Sequence, residues 1–233
     1  MLKIWFTALF CLSFLISTET HAGEESLYDF LWLDPDKKVY VLQNKLYKKE
    51  HKVAVDLGYI SNFTSKFQDT SGFQFRAAYF FHEEWAIEAT YQHYNNVNND
   101  DFRSIRASSG VEPFIRRFNN SYGLNVIYSP FYGKINTFNQ IFYFDWSFGA
   151  GLAKLNTESS LKTATSSSTV NSFDAESYTG AVLKTNLKFH ITEYMHLGVE
   201  YMNTYYMAPS PANPKQDKLR TNTDIIMSVG FSF

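Results

Sequence analysis

The chain is nearly without cysteine: Cys11 is the only one in 233 residues. It lies in an apolar run, Ile4 to Ile16, between the cationic start Met1-Leu2-Lys3 and the small-residue stretch Thr20-His21-Ala22. This pattern predicts a secretory signal over residues 1–22, cut before Gly23. About 13 apolar residues are too few to span a bilayer as a helix. Phe10 does not suit lipoprotein cleavage before Cys11, so no lipid anchor is expected. A chain cut at Gly23 has no cysteine, which excludes disulfides and thiolate chemistry.

Long apolar runs are also lacking. After the signal none approaches 18 residues, which excludes a transmembrane helix. An excess of positive charge is missing as well. Twenty-one Lys and Arg against 23 Asp and Glu give a net charge of -2, with no basic footprint for nucleic acid. What is abundant is aromatic: 22 Phe and 16 Tyr, at 18% aromatic against 19% charged residues. Mean hydropathy is nonetheless -0.28. Apolar and polar residues in alternation, one face in lipid and one in a polar interior, account for both values.

Period-two alternation predicts eight strands: 53–60, 72–81, 85–94, 121–128, 137–152, 178–189, 195–205 and 221–233. Val53, Val55, Leu57 and Tyr59 share one face of the first strand, against Ala54, Asp56 and Gly58. Ile225, Met227, Val229, Phe231 and Phe233 share one face of the last. The expected connections alternate in length. His82-Glu83-Glu84, Ser129 to Asn136 and Ile191-Thr192-Glu193 are the shorter ones. A medium polar loop joins the first two strands. Asn95 to Asn120, the Ser/Thr-rich stretch Thr157 to Ser177 and the Pro-rich Met207 to Lys218 are long. Short turns on one side and long loops on the other mark outer-membrane barrels. The expected fold is all-β: an eight-stranded antiparallel transmembrane barrel over 51–233 with a short N-terminal extension over 23–50. An even strand count returns both termini to the periplasm.

Two stretches carry a resemblance. "DPDKKVYVLQNKLYKKEHKVAVDLGYI" followed by "FRAAYFFHEEWAIEATY" is similar to the start of an outer-membrane β-barrel domain family typical of myxobacteria and related predatory bacteria. "SPFYGKINTFNQIFYFDWSFGAGL" resembles that family's fourth-to-fifth-strand turn. The resemblance covers most of the chain after the signal and implies its fold. It brings no catalytic signature. The ending "VGFSF" departs from it toward the terminal-Phe strand of many outer-membrane proteins.

Eight charges fall on predicted lumen faces: Asp56, Arg76, Glu88, Asp145, Lys184, Lys188, Glu200 and Asp224, five acidic and three basic. Mixed signs in a narrow space favour a hydrogen-bonded plug over an ion path. Symmetric turns about Lys66 and Glu83 set Asp56 opposite Arg76, and Ala78 opposite Glu88, with Arg76 one diagonal step from Glu88. A turn about Thr192 sets Phe189 opposite Met195 and Lys184 opposite Glu200. The candidate site is therefore a lumen charge network of Asp56, Arg76, Glu88, Lys184 and Glu200.

Other candidates are weaker. His51, His82, His190 and His196 read as interface residues at the short-turn end. His93 lies at the opposite end of its strand, but no signature joins it to a serine or acid. No catalytic, metal or cofactor site is expected. The loop residues Arg103, Arg106, Arg116 and Arg117 are either a solvated cluster or contacts for lipopolysaccharide phosphates. Val229, Gly230, Phe231 and Phe233 form an expected signal for the barrel assembly machinery, read by strand pairing. Exposed Phe30, Leu31 and Trp32 would be an apolar patch, so the extension is expected to dock under the barrel rather than bind a periplasmic partner. The functional expectation is a plugged structural or surface-interaction barrel in contact with outer-membrane lipid and lipopolysaccharide. A narrow passive pore and a lipid-A-modifying enzyme are the alternatives.

Overall fold

The computed structural model describes residues 45–110, 112–137, 140–161, 173–210 and 213–233. The expected signal peptide and the Phe30-Leu31-Trp32 docking lie outside them. Eight strands follow in order: β1 (Val53–Asn62), β2 (Gln68–Phe80), β3 (Trp85–Asn98), β4 (Arg116–Thr137), β5 (Gln140–Ser159), β6 (Asp174–His190), β7 (Met195–Ser210) and β8 (Asn213–Ser232). One helix, α1 (Asp100–Ser109), lies between β3 and β4. Each strand pairs antiparallel with its neighbours, and β8 returns to β1, so the sheet closes. The terminal residue completes the seam. Phe233 N–H donates to the Val53 carbonyl at 2.9 Å, and Val53 N–H donates to the Phe233 carbonyl at 3.0 Å.

The alternation sorts the wall into two faces. Leu57, Phe75, Ile87, Leu124, Leu152, Leu183, Val199 and Met227, one from each strand, are exposed on the outside. A belt of such residues without a strand edge suits lipid, which offers no hydrogen bonds to bare backbone. Aromatic residues cluster at the short-turn rim: Trp85 lies 4.6 Å from Tyr128 and Phe131 lies 5.7 Å from Trp146, ring to ring. The chain is thus a transmembrane barrel of the outer-membrane type.

Several expected boundaries are corrected. β2, β3, β5, β6, β7 and β8 run past the apolar belt on the long-loop side. There Gln68 faces Asn98 and Thr70 faces Asn96. Polar residues take the inward positions of β2 and β3 at that height, so the hydropathy alternation fades there while the ladder continues. The 95–120 loop shrinks to strand ends around α1. This helix is capped by Asn99, whose side chain accepts from Phe102 N–H at 3.1 Å. Ser129 to Asn136 is not a turn. β4 passes through it with a register shift between Tyr128 and Phe131, a bulge that bends the strand without ending it.

The register of β1 with β2 is as expected, Asp56 facing Arg76, and so is Ala78 facing Glu88. The β6–β7 register is not. Phe189 faces Leu197, not Met195, and Lys184 faces Met202, not Glu200. The turn is centred on Glu193 instead of Thr192, with Ile191 and Thr192 N–H both reaching the Met195 carbonyl, at 3.0 and 3.2 Å. A slip of two positions leaves every side chain on its face, which is why the lumen assignment survives it.

Candidate functional site

All eight predicted lumen charges are buried. Arg76 is the hub. Its Nη1 lies 2.6 Å from Glu200 Oε2, its Nη2 2.8 Å from Asp56 Oδ1, and its Nε 3.8 Å from Glu88 Oε2. Lys184 Nζ pairs with Glu88, and with Glu200 Oε2 at 2.9 Å. It reaches Glu200 diagonally despite the shifted register. Neutral donors satisfy what remains: Gln74 Nε2 to Glu200 Oε1 at 3.2 Å and Asn125 Nδ2 to Glu88 Oε1 at 3.1 Å. The five expected network residues are therefore in one hydrogen-bonded array that reaches β1, β2, β3, β6 and β7.

Glycines make room for it. A Cβ on Gly230 would overlap the Asp56 carboxylate and His196 Nε2. One on Gly149 would stand 2.8 Å from Lys184 Cγ. Both sit in a wall narrow enough for side chains to fill the lumen.

The sequence reading missed three members. His196 Nε2 lies 2.8 Å from Asp56 Oδ1, and His190 Nε2 lies 2.8 Å from Asp145 Oδ2. Both are buried, not interface residues as expected. Their face was visible in the alternation, since His196 shares it with Glu200. Their distance from the rim was not. The third is Lys49, from the segment before β1. Its Nζ lies 2.8 Å from Asp145 Oδ1 and donates to Ser129 Oγ at 2.7 Å. Burial lowers the Lys49 pKa, against the pull of Asp145. With Lys49 counted, Asp56, Glu88, Glu200 and Asp145 are balanced by Arg76, Lys184, Lys188 and Lys49.

Asp224 stands apart. Its carboxylate accepts from Asn62 Nδ2 at 2.6 Å, Tyr94 Oη at 2.8 Å and Asn222 Nδ2 at 3.0 Å. Among the described residues no cation pairs with it. It adjoins an apolar layer, with Ile60, Leu155, Met202, Tyr206 and Ile226 buried toward the long-loop side. Among the described residues, a cavity of about 20 Å³ lies between the charged layer and the short-turn end, and another of about 10 Å³ lies beside Tyr47 and His190. The larger has room for about one water.

The lumen is thus occluded in layers. The segment before β1 closes the short-turn end. Tyr47 stacks on His190 with ring centroids 4.9 Å apart. Glu83, in the β2–β3 turn, holds the segment. It pairs with Lys45 Nζ at 2.7 Å and accepts from Lys49 and Glu50 N–H at 3.0 Å each. Burial works against the Glu83 carboxylate, but the Lys45 and backbone hydrogen bonds outweigh it and hold its pKa below the usual value. At the other end Arg116 lies 3.2 Å from Glu176 and over the ring of Tyr178.

The four loop arginines do not form one cluster. Arg103 pairs with Asp100, Arg106 with Glu112 and Arg116 with Glu176, while Arg117 stacks on Phe173. His93 is exposed on the outer face, opposite Phe73. Val229, Phe231 and Phe233 also point outward, and Gly230 points inward.

No family model matches the chain, and no curated protein matches it. Among solved structures, it is similar to the N-terminal β-barrel domain of Pseudomonas aeruginosa OprF, at 16% identity over 79% of this chain and 98% of that one, with a TM-score of 0.49. It is similar to Ail, the attachment invasion locus protein of Yersinia pestis, at 14% identity over 79% and 99%, TM-score 0.43. Neisserial surface protein A is a third, at 16% identity over 78% and 94%, TM-score 0.42. At these values the barrel is read from the closed ladder and apolar belt of this chain itself.

Two predictions follow from the geometry. Arg76→Met leaves four buried acids against three cations and is expected to cost roughly 3–5 kcal/mol in urea unfolding of the detergent-folded barrel. Arg76→Met with Glu200→Gln restores the balance and should be the more stable of the two variants. A double variant less stable than the single one would contradict charge balance as the cause. The second concerns acid. Because the folded Glu83 pKa is depressed, its contribution is present above the ordinary glutamate pKa and lost as pH falls through the folded value. Amide hydrogen exchange at Lys49 and Glu50, corrected for its intrinsic pH dependence, should accelerate in that window in the wild type. In Glu83→Gln it should be fast throughout. Identical profiles would remove Glu83 as the clasp.

Proposed function

We propose that this protein works as a closed outer-membrane barrel, acting through the surface it displays outside the cell rather than through a channel. One observation carries this reading: a charge-balanced array of buried, closely paired ions fills the lumen, with a cavity of only about 20 Å³ beside it. A conducting pore needs a continuous wet path lined by groups free to exchange partners with ions. Here the carboxylates of Asp56, Glu88 and Glu200 already hold protein donors.

In this proposal the short turns and both termini face the periplasm, and α1 and the extended strands face outward. The apolar belt meets outer-membrane lipid. Lys154, exposed on the outside between Tyr122 and Thr179 in register, is placed to meet lipopolysaccharide phosphate at the outer rim. The barrel assembly machinery is the proposed partner of the last strand, through Val229, Phe231 and Phe233. The stretches from Asp34 to Ile60, Phe75 to Tyr91 and Ser129 to Leu152 support placing the chain beside the barrel family of myxobacteria and related predatory bacteria.

Purified protein in planar bilayers is expected to give no large, stable conductance steps at neutral pH. Sustained ohmic currents from the wild type would overturn the reading and make the protein a pore.

A further inference from the structure

β4 and β5 do not stop where the rest of the wall does. β3 begins at Trp85, opposite Tyr128, and β6 ends at His190, opposite Tyr143. Beyond those points the two strands pair only with each other, down to Thr137 and Gln140. From Phe131 to Thr137 this hairpin runs about 20 Å at the usual strand rise. Its two faces have different fates.

The inward face is covered by the chain itself at its base, around Tyr132 and Tyr143, while Ile141 nearer the tip is 50% exposed. Leu46 N–H donates to Tyr132 Oη at 3.2 Å, Lys45 Nζ lies 5.0 Å from the Tyr132 ring centroid, and Tyr47 packs edge-on against Tyr143 at 5.4 Å. Among the described residues the outward face has no such cover from the segment before β1. Phe131, Ile135 and Phe142 are 53%, 47% and 40% exposed.

The bulge decides which face is which. Without the register shift between Tyr128 and Phe131, strict alternation would turn Phe131 and Ile135 inward. With it, Phe131 faces Trp146 and Ile135 faces Phe142, on the outside. Phe131 then joins the lipid-facing belt directly, its ring 5.7 Å from Trp146 and 6.3 Å from Phe148. No Asp, Glu, Lys or Arg occupies an outward position of the hairpin, and Lys134 has inward parity.

We infer that the outward face of this hairpin, centred on Phe131, Ile135 and Phe142, is a lipid-binding foot. It sits at the boundary between headgroups and acyl chains of the leaflet on the short-turn side. A lipid surface is the occupant because the face is uncharged and continuous with the lipid-facing belt. Aromatic and aliphatic side chains at the edge of a membrane belt find both apolar and wet surroundings there. The foot holds the barrel in the leaflet while the inward face of the same hairpin carries the segment that closes the lumen.

The test places single cysteines in a chain with Cys11 replaced by Ser. Ile135→Cys and Phe142→Cys are labelled with an environment-sensitive fluorophore and refolded into phosphatidylethanolamine–phosphatidylglycerol vesicles. Val126→Cys reports the middle of the belt and His82→Cys the aqueous turn. Labels at Ile135 and Phe142 should be quenched by lipid carrying a spin label near its headgroup, more strongly than the His82 label. They should resist aqueous iodide. Quenching by iodide equal to that at His82, without quenching by the lipid, would overturn the foot and leave the face free for a protein. Circular dichroism and unboiled gel mobility report whether each variant has folded, and Phe131→Cys replaces any that has not.

Discussion

A guanidinium sealed inside a membrane barrel is the constraint on which the rest depends. Arg76 is buried from water in a wall that is itself surrounded by lipid. Removing such a charge from water costs several kcal/mol, and only close partners on several sides offset that. Asp56 is supplied by the facing residue of β1, Glu88 by a diagonal step on β3, and Glu200 from β7 across the lumen. Glu200 also engages Lys184 of β6, so the array spans most of the barrel. A one-residue slip in any of these strands would send a charge to lipid. The same array that blocks the lumen also fixes the register of the wall.

The charge balance is completed from outside the wall. Lys49 precedes β1, yet its ammonium lies buried against Asp145. The segment carrying it is clasped by Glu83 and stacked on His190 through Tyr47. Closing the short-turn end and neutralising the interior are therefore one structural event. The β4–β5 hairpin has a part in it, because Tyr132 and Tyr143 support this segment from one side. The other end is closed by different means, with apolar residues and the Arg116–Glu176 pair. Asp224 lies there among neutral donors, outside the ion array.

The wall was legible because its two faces differ in chemistry. Leu57 beside Asp56, or Phe75 beside Arg76, marks an outward and an inward position without any structure. The hairpin of β1 and β2 turns symmetrically, so the Asp56–Arg76 pair was visible from turn length alone. The signal failed where that contrast ends. Above the belt Thr70 and Asn96 are polar residues on the inward face, bonded to each other, and the strands continued unseen. At Ser129-Pro130 a proline beside a serine reads as a turn, whereas the bulge keeps β4 paired. The β6–β7 turn differed by two positions, an even number, so the face assignment outlived the wrong register. Lys49 could not be found by alternation, because it lies on no strand. His190 and His196 were seen on the right strands but misjudged, since an imidazole at a strand end suits an interface as well as a buried carboxylate.

Solid-state NMR of the barrel in lipid bilayers, with nitrogen-15 in lysine and carbon-13 in glutamate carboxyl groups, reads the central array directly. The account predicts a dipolar contact from Lys184 Nζ to the Glu200 carboxyl, consistent with 2.9 Å between nitrogen and oxygen. That contact should vanish in Lys184→Met and persist in Lys49→Met. A Lys184 ammonium in rapid exchange with water, with no carboxylate coupling, would show a hydrated lumen and contradict the account.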